Sequence, residues 1–473
     1  MTPTNAEPDL GEGEMKGRKG PSVSRGWTVA GAAIVALLLP LTACNFEVTN
    51  PGPVQDKFLD GPLAYDGIVA GVKRALLDAH FDTDRNGASG VREIFPAGNV
   101  GNKGVDNSPR VGIYDQTVTN SWWNSSSNAR WLAENAVARL KASLGAAYPT
   151  SINAGTANLF AGYANRHLGE TFCEAVIDGG PILPFTEFLN RADTLFTNAL
   201  AIFTAANNAS LKNAALAGRA SVRADLNNWT GAMADAALVP TSLKYVLEYF
   251  NLEDLQFNSW VSASGYFGPF RTISTWNTFY ETYFQQTGDP RTPWETVAGV
   301  PFGSAQVAPY GNIPWYRERK YTTGEDDQNL STGREMRLLE AENQLRLGNF
   351  AAAMTIINAN RTSVNAITIA GITNAGVVAG TPLQPWTPAP TTLIEAGTAY
   401  KKESGIELWL EGRRMGARSR WARQNLPGDL TVYEVPSTTA PVHIRGAGTL
   451  LSTASTLCMS VGKTERDLND KIP

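Results

Sequence analysis

Cysteine is scarce in this 473-residue chain, with three in all, and one of them stands where a thiol can do chemistry. Leu41-Thr42-Ala43-Cys44 closes a stretch, Gly26 to Phe46, that contains no charged residue, and Lys16, Arg18, Lys19 and Arg25 precede it. A basic start, a short apolar run and a small-residue exit make a secretory signal. The exit looks like a bacterial lipobox. In that pattern the cysteine sulfur is the nucleophile that becomes a thioether to diacylglycerol, and the chain is cut just before it. Ala43 supplies the small side chain that the peptidase accepts. Residues 1–43 therefore read as a signal peptide, Cys44 as the lipidation site and residues 44–55 as a tether. A transmembrane anchor is the alternative, since about 20 apolar residues span a bilayer. Pro40 and Thr42 shorten the strongly apolar part below that length. Glu7, Asp9, Glu12 and Glu14 are unlike a signal start, and Met15 is an alternative first residue that gives a conventional one. In an exported chain the two remaining cysteines, Cys173 and Cys458, suggest a disulfide, with two buried free thiols as the other reading.

Metal chemistry has one weak signal. In DTDRNGASGVRE, residues 82–93, Asp82, Asp84, Asn86, Gly87 and Glu93 match the spacing of a calcium loop, in which alternate oxygens converge on the ion. Ser89 replaces the usual aliphatic residue and Pro96 interrupts the exit helix, so an ordinary surface loop is the preferred reading and no metal or other cofactor is assigned. His80, His167 and His443 are far apart and lack ligand-like spacing. No HExxH, G-x-S-x-G, Walker loop or G-x-G-x-x-G occurs. A glycoside hydrolase would need two facing carboxylates. Acidic residues are plentiful, but no pair stands out. A net charge of -4 leaves no electrostatic footprint for nucleic acid. Arg413, Arg414, Arg418, Arg420 and Arg423 share their stretch with Glu403, Glu407 and Glu411, and are expected to form a solvated structural face.

Aromatic residues offer the clearest binding chemistry. Residues 260–316 hold 14 of them in 57 positions, against 9% for the whole chain. Sugars present apolar C–H faces that stack on flat rings, and Tyr and Trp add a polar handle. The helical spacing of Trp276, Tyr280, Tyr283 and Phe284 reads as core. Trp294, Trp315 and Tyr316 lie instead among Pro, Gly and Arg, where binding residues concentrate. They are the candidate ligand contacts, with loop anchoring as the competing role.

The elements that would position these residues are mostly helices. Hydrophobic residues at 43% can fill a sizeable core, while 44 Gly and 27 Pro imply long ordered loops. Apolar periodicity predicts helices at about 62–79, 119–147, 152–172, 186–206, 212–226, 229–238, 334–347, 350–360 and 394–424. The Gly/Pro/Thr-rich stretch 366–392 reads as a hairpin or loop. ASVRADLNNWTGAM, residues 220–233, and AENQLRLGNFAAAM, residues 341–354, share Ala-x5-Leu-[Gly/Asn]-Asn-[Phe/Trp]-x2-Ala-Met. Each predicts a helix, a two-residue turn and a second helix opened by an aromatic, the logic of tetratricopeptide-like hairpins. The expected fold is mainly α: helical hairpins in a superhelical scaffold, with a loop-rich, ligand-facing region at about 255–330 inside a single domain, residues 56–473.

The lipobox, the Thr49-Asn50-Pro51 turn after it and the alanine-rich hairpins together resemble the SusD/RagB family of outer-membrane nutrient-binding lipoproteins. REMRLLEAENQLRLGNFAAAMTIINANR, residues 334–361, and KKESGIELWLEGRRMGARSRW, residues 401–421, are similar to two helical stretches of that family. GDPRTPW, residues 288–294, and ERDLND, residues 465–470, are weaker echoes. Ala417 departs from the pattern where the family often has Asp, which removes an acid beside the arginines. The resemblance implies a binding protein, not an enzyme. Such a protein captures an oligosaccharide or peptide and passes it to a SusC-like TonB-dependent transporter. Asn45, where Asp would favour inner-membrane retention, agrees with the outer membrane. A helical polysaccharide-degrading enzyme and a tetratricopeptide-type interaction scaffold are the alternatives.

Overall fold

The computed structural model describes residues 56–98, 114–250, 257–266, 270–307, 311–374, 376–429 and 458–472, all of which fall in one compact unit, Val54–Pro473. Cys44, the signal segment and the tether lie outside the described residues. Six helices form the first half: α1 (Tyr65–Gly90), α2 (Asn120–Leu144), α3 (Ile152–Thr171), α4 (Thr186–Ala205), α5 (Ala209–Asp225) and α6 (Trp229–Ala236). Each packs on the next. Short helices α7 (Ser259–Ala263) and α8 (Phe279–Thr287) follow, then α9 (Gly333–Arg346), α10 (Phe350–Thr362), α11 (Leu393–Glu407), α12 (Arg414–Arg423) and α13 (Lys463–Leu468). The protein is mainly α, as its periodicity requires.

The hairpins close through one recurrent device. The residue after the first helix takes the left-handed conformation, with φ of 62° at Asn227 and 79° at Gly348 in the two related segments. Asparagine and glycine tolerate that region where other side chains do not. Asn207, with φ of 54°, repeats the turn between α4 and α5. The side chains of Asn208 and Asn228 then cap the following helices by accepting from the N–H of Leu211 and Gly231. Small residues set the helix spacing. The Phe196 ring of α4 lies against Gly162 of α3 and Gly218 of α5, where an added Cβ would come within 2.8 and 2.5 Å of it.

Three expectations need correction. The first helix does not stop near residue 79 but runs to Gly90, so 82–90 is helix rather than calcium loop. Side chains two apart on a helix point in different directions, so Asp84 and Asn86 cannot converge as loop ligands. Glu93 is buried and accepts from the Leu410 N–H, and burial raises its pKa to about 8. The stretch 394–424 is two helices, broken where Leu410 and Gly412 adopt φ of 59° and 69°. Finally, the arginine face is not solvated. Arg413, Arg414, Arg418 and Arg420 are buried, as are Glu403 and Glu411, while Glu407 is partly buried. Arg413 pairs with Glu170 of α3 at 2.8 Å and Glu335 of α9 at 2.9 Å. Arg420 pairs with Glu342 at 2.9 Å and Asp225 at 2.8 Å. These guanidiniums join the two halves of the scaffold, and removing one partner would leave a buried charge uncompensated.

Strands are short and paired in antiparallel twos. They are β1 (Phe95–Pro96), β2 (Glu174–Ala175), β3 (Leu183–Pro184), β4 (Lys244–Leu247), β5 (Ile273–Ser274), β6 (Trp294–Thr296), β7 (Phe302–Val307), β8 (Gly311–Pro314), β9 (Tyr316–Glu318) and β10 (Gln328–Thr332). The β4–β10 ladder closes the base of a long excursion between α6 and α9. Stretch 366–392 is closed by backbone bonds from Ala366 N–H to Thr381 O and from Leu383 N–H to Val364 O. At the far end, the Cys173 and Cys458 sulfurs are joined in a disulfide across 285 residues. Met459 and Val461 are wholly buried beside Trp123 and Phe172, which seats the C-terminal segment on α2 and α3. Among the described residues no helix is long and apolar enough to cross a membrane.

Candidate binding face

The excursion between β4 and β10 carries the candidate aromatics on a nested β-hairpin. Its base is the β6–β9 ladder, with Trp294, Glu295 and Thr296 opposite Glu318, Arg317 and Tyr316. Its tip is the β7–β8 pair. The GDPRTPW stretch anchors it. Arg291 forms ion pairs with Asp289 at 2.6 Å and with Glu403 and Glu407 of α11 at 2.7 Å each. Arg334 of α9 joins Glu407 at 2.7 Å, and Arg361 of α10 donates to Glu403 at 3.2 Å. Thus residues 288–294, 334–361 and 401–421, the stretches on which the family resemblance rests, meet in one buried network. Its role is to hold the excursion on the helices.

Trp294 and Trp315 are only 2% and 3% exposed, so neither ring offers a stacking face to solvent. Trp294 stacks on Tyr316 with centroids 4.7 Å apart and donates from Nε1 to Glu281 O at 3.0 Å. It anchors the loop, which corrects its candidacy as a ligand platform. Tyr316 is half-buried, with burial raising its pKa. Trp315 is enclosed by cations: the guanidiniums of Arg271 and Arg317 lie 5.7 and 5.5 Å from its centroid. Its Nε1–H is buried and without a hydrogen-bond partner.

The outward chemistry comes from neighbours that the sequence reading did not single out. Glu295 accepts from Arg317, from Arg319 at 2.8 Å and from the Tyr266 hydroxyl at 3.3 Å. The Arg317 guanidinium lies 3.9 Å from the Tyr266 ring centroid. Arg319, 42% exposed, and Phe302, 45% exposed, reach furthest into solvent. Beneath this layer Glu318 is buried, and burial raises its pKa to about 7 despite bonds from Ser264 and two backbone N–H groups. A planar carboxylate, forked guanidiniums and half-exposed rings can recognise a polyhydroxylated or peptidic ligand. The only signal in the sequence was the alternation Trp315-Tyr316-Arg317-Glu318-Arg319.

A second concavity, about 1010 Å³, lies between the start of α1, with the segment before it, and the second half of α2. Phe58, Leu63, Ile68 and Trp131 line it, with Asn135 and Arg139 as its main polar side chains. So apolar a groove suits a hydroxyl-rich ligand poorly.

Comparison with known proteins identifies the fold. No protein-family model matches the chain, and no curated protein is similar to it. Solved structures do match. A SusD superfamily protein from Bacteroides thetaiotaomicron VPI-5482 superposes with a TM-score of 0.61 at 12% identity, covering 86% of this chain and 98% of its own. Another from Bacteroides vulgatus ATCC 8482 gives 0.58 at 11% identity, covering 87% and 98%. A SusD-like carbohydrate binding protein from Bacteroides vulgatus ATCC 8482 gives 0.51 at 13% identity, covering 77% and 84%. The chain shares the helical-hairpin fold of these SusD-like structures.

Proposed function

We propose that the protein is a cell-surface lipoprotein of the outer membrane that binds nutrient, an oligosaccharide or a peptide, and delivers it to a SusC-like TonB-dependent transporter. The observation that carries this reading is the SusD-like fold, which extends over 86% of the chain. The lipobox ending in Cys44 supports anchoring through lipid, and the signal supports export. Within the fold, the ligand is assigned to the face made by Tyr266, Phe302, Tyr316, Arg317 and Arg319. There Tyr316 and Phe302 supply rings, while the Glu295 and Arg319 side chains supply acceptors and donors for hydroxyl or amide groups. Trp315 contributes from below by supporting Arg317.

Affinity purification from membranes solubilised in mild detergent, followed by mass spectrometry, tests the transport role. A large β-barrel transporter recovered in near-equal amount supports the reading. Recovery of the protein alone, or release of reducing ends when the pure protein is incubated with glycans, would replace it with a free-standing binder or an enzyme.

A further inference from the structure

His80 and His167 are 87 positions apart, yet the packing of α1 on α3 stacks their rings with centroids 4.3 Å apart and planes tilted by 43°. Asp84, one turn beyond His80, completes the group. All three side chains are about 95% buried. Asp84 Oδ2 is 2.7 Å from His80 Nδ1 and accepts from Gln328 Nε2 at 2.5 Å. An ionised carboxylate only accepts, so its bond to His80 puts the imidazole proton on Nδ1 and leaves Nε2 as a bare lone pair. In the neutral ring that Nε2 is a lone pair; it has no hydrogen-bond partner, and neither has Nε2 of His167. Two buried, unsatisfied imidazole nitrogens side by side cost stability and require an explanation.

We propose that His80, Asp84 and His167 form a binding site for a divalent transition-metal ion of the zinc type. One ligand atom from each residue lies within 4.8 Å of the others. Tetrahedral zinc, with bonds of about 2.0–2.1 Å, holds its ligands roughly 3.4 Å apart, so closing the set requires Asp84 to swing from His80 Nδ1 toward the ion. Two imidazoles and a carboxylate are a zinc-type donor set with a fourth position left for water. Gln328, on β10, holds the carboxylate from outside, as partners beyond the direct ligands commonly do. Arg166, the cation that acts on His167, is already engaged with Leu330 O at 2.7 Å and with Ser331 Oγ at 3.2 Å, and its Nε lies 3.6 Å from Glu170. A bound ion would tie α1 to α3 and fix the wall from which β10 leads back to the helices.

The test uses the full exported chain, without a histidine tag, stripped by chelator and titrated with Zn2+ by calorimetry. One ion per chain and a raised unfolding temperature are expected. Asp84→Asn and His167→Gln should each weaken binding at least ~10-fold. Because a buried substitution can misfold, Co2+ is added to the unaltered chain in parallel. An intense visible spectrum of tetrahedral cobalt that Zn2+ abolishes supports the site. Absence of stoichiometric binding to the unaltered chain overturns the proposal. So does full affinity in a folded His80→Gln/His167→Gln double variant.

Discussion

Replacing Glu318 by Gln should make the protein more stable at neutral and alkaline pH, by an amount that grows between about pH 4.5 and 7 and then levels off. Glu318 is 1% exposed beneath the binding face. Its Oε1 accepts from Ser264 at 2.7 Å, and its Oε2 from the N–H groups of Lys320 at 2.8 Å and Tyr321 at 3.1 Å. Burial outweighs these bonds and raises the pKa from 4.5 to about 7. The folded state therefore holds the proton more tightly than the unfolded one. As pH rises from 4.5 towards 7 the unfolded chain loses its proton first, so stability falls through that window and levels off above it. At ~1.36 kcal/mol per pKa unit, the loss is on the order of 3 kcal/mol on the plateau. Glutamine keeps an acceptor for the two backbone N–H groups and can donate to the Ser264 oxygen, but carries no charge. Urea unfolding of both proteins at about pH 5 and about pH 8 reads the difference directly. Glu318→Gln should gain about 2.5 kcal/mol relative to the parent between those values. A difference that stays constant with pH would refute the assignment, since no other group changes between the two chains.

Three further outcomes follow from the packing and the lipobox. Cys173→Ser should cost on the order of 3–5 kcal/mol by freeing a 285-residue loop, and thiol labelling of the unreduced, denatured parent should find neither Cys173 nor Cys458 reactive; full labelling would contradict the bridge. Gly218→Ala should destabilise by ~1–3 kcal/mol, because its Cβ would meet the Phe196 ring at 2.5 Å, and Phe196→Leu in the same chain should recover part of the loss; additive losses would argue against that contact. Cys44→Ser should move the exported protein out of the membrane fraction, since stable anchoring needs the acyl chains; a variant that stays membrane-bound and uncleaved would return the segment to a transmembrane anchor.

The helical hairpins were legible because their signals are local: apolar periodicity, Ala at close contacts, and the Leu-[Gly/Asn]-Asn turn. What escaped was set by tertiary contact. DTDRNG has the composition of a loop, but helix α1 continues through it because Asp84 finds His80 and Gln328 as partners. The arginines of α12 carry the pattern of a solvated face, but they are buried because carboxylates from α3, α5 and α9 meet them. Spacing along the chain could not reveal either arrangement. The same holds for the pairing of His80 with His167. In the proposed binding face, local sequence marked the loop-like stretch that carries the rings, but not which of them are buried. Trp294 and Trp315 face inward, whereas Tyr266 and Arg319, unremarkable by composition, supply exposed chemistry.

Ligand titration is the measurement that bears most directly on the account. The purified chain is titrated with panels of oligosaccharides and peptides, alongside Tyr316→Ala and Arg319→Ala variants whose unfolding temperatures are recorded. At least one glycan or peptide should bind, and each variant should lose affinity by roughly tenfold or more, about 1.4 kcal/mol, while unfolding near the parent temperature. Binding that neither substitution weakens, or no binding across both panels by a folded protein, would contradict the assignment of this face as the nutrient site.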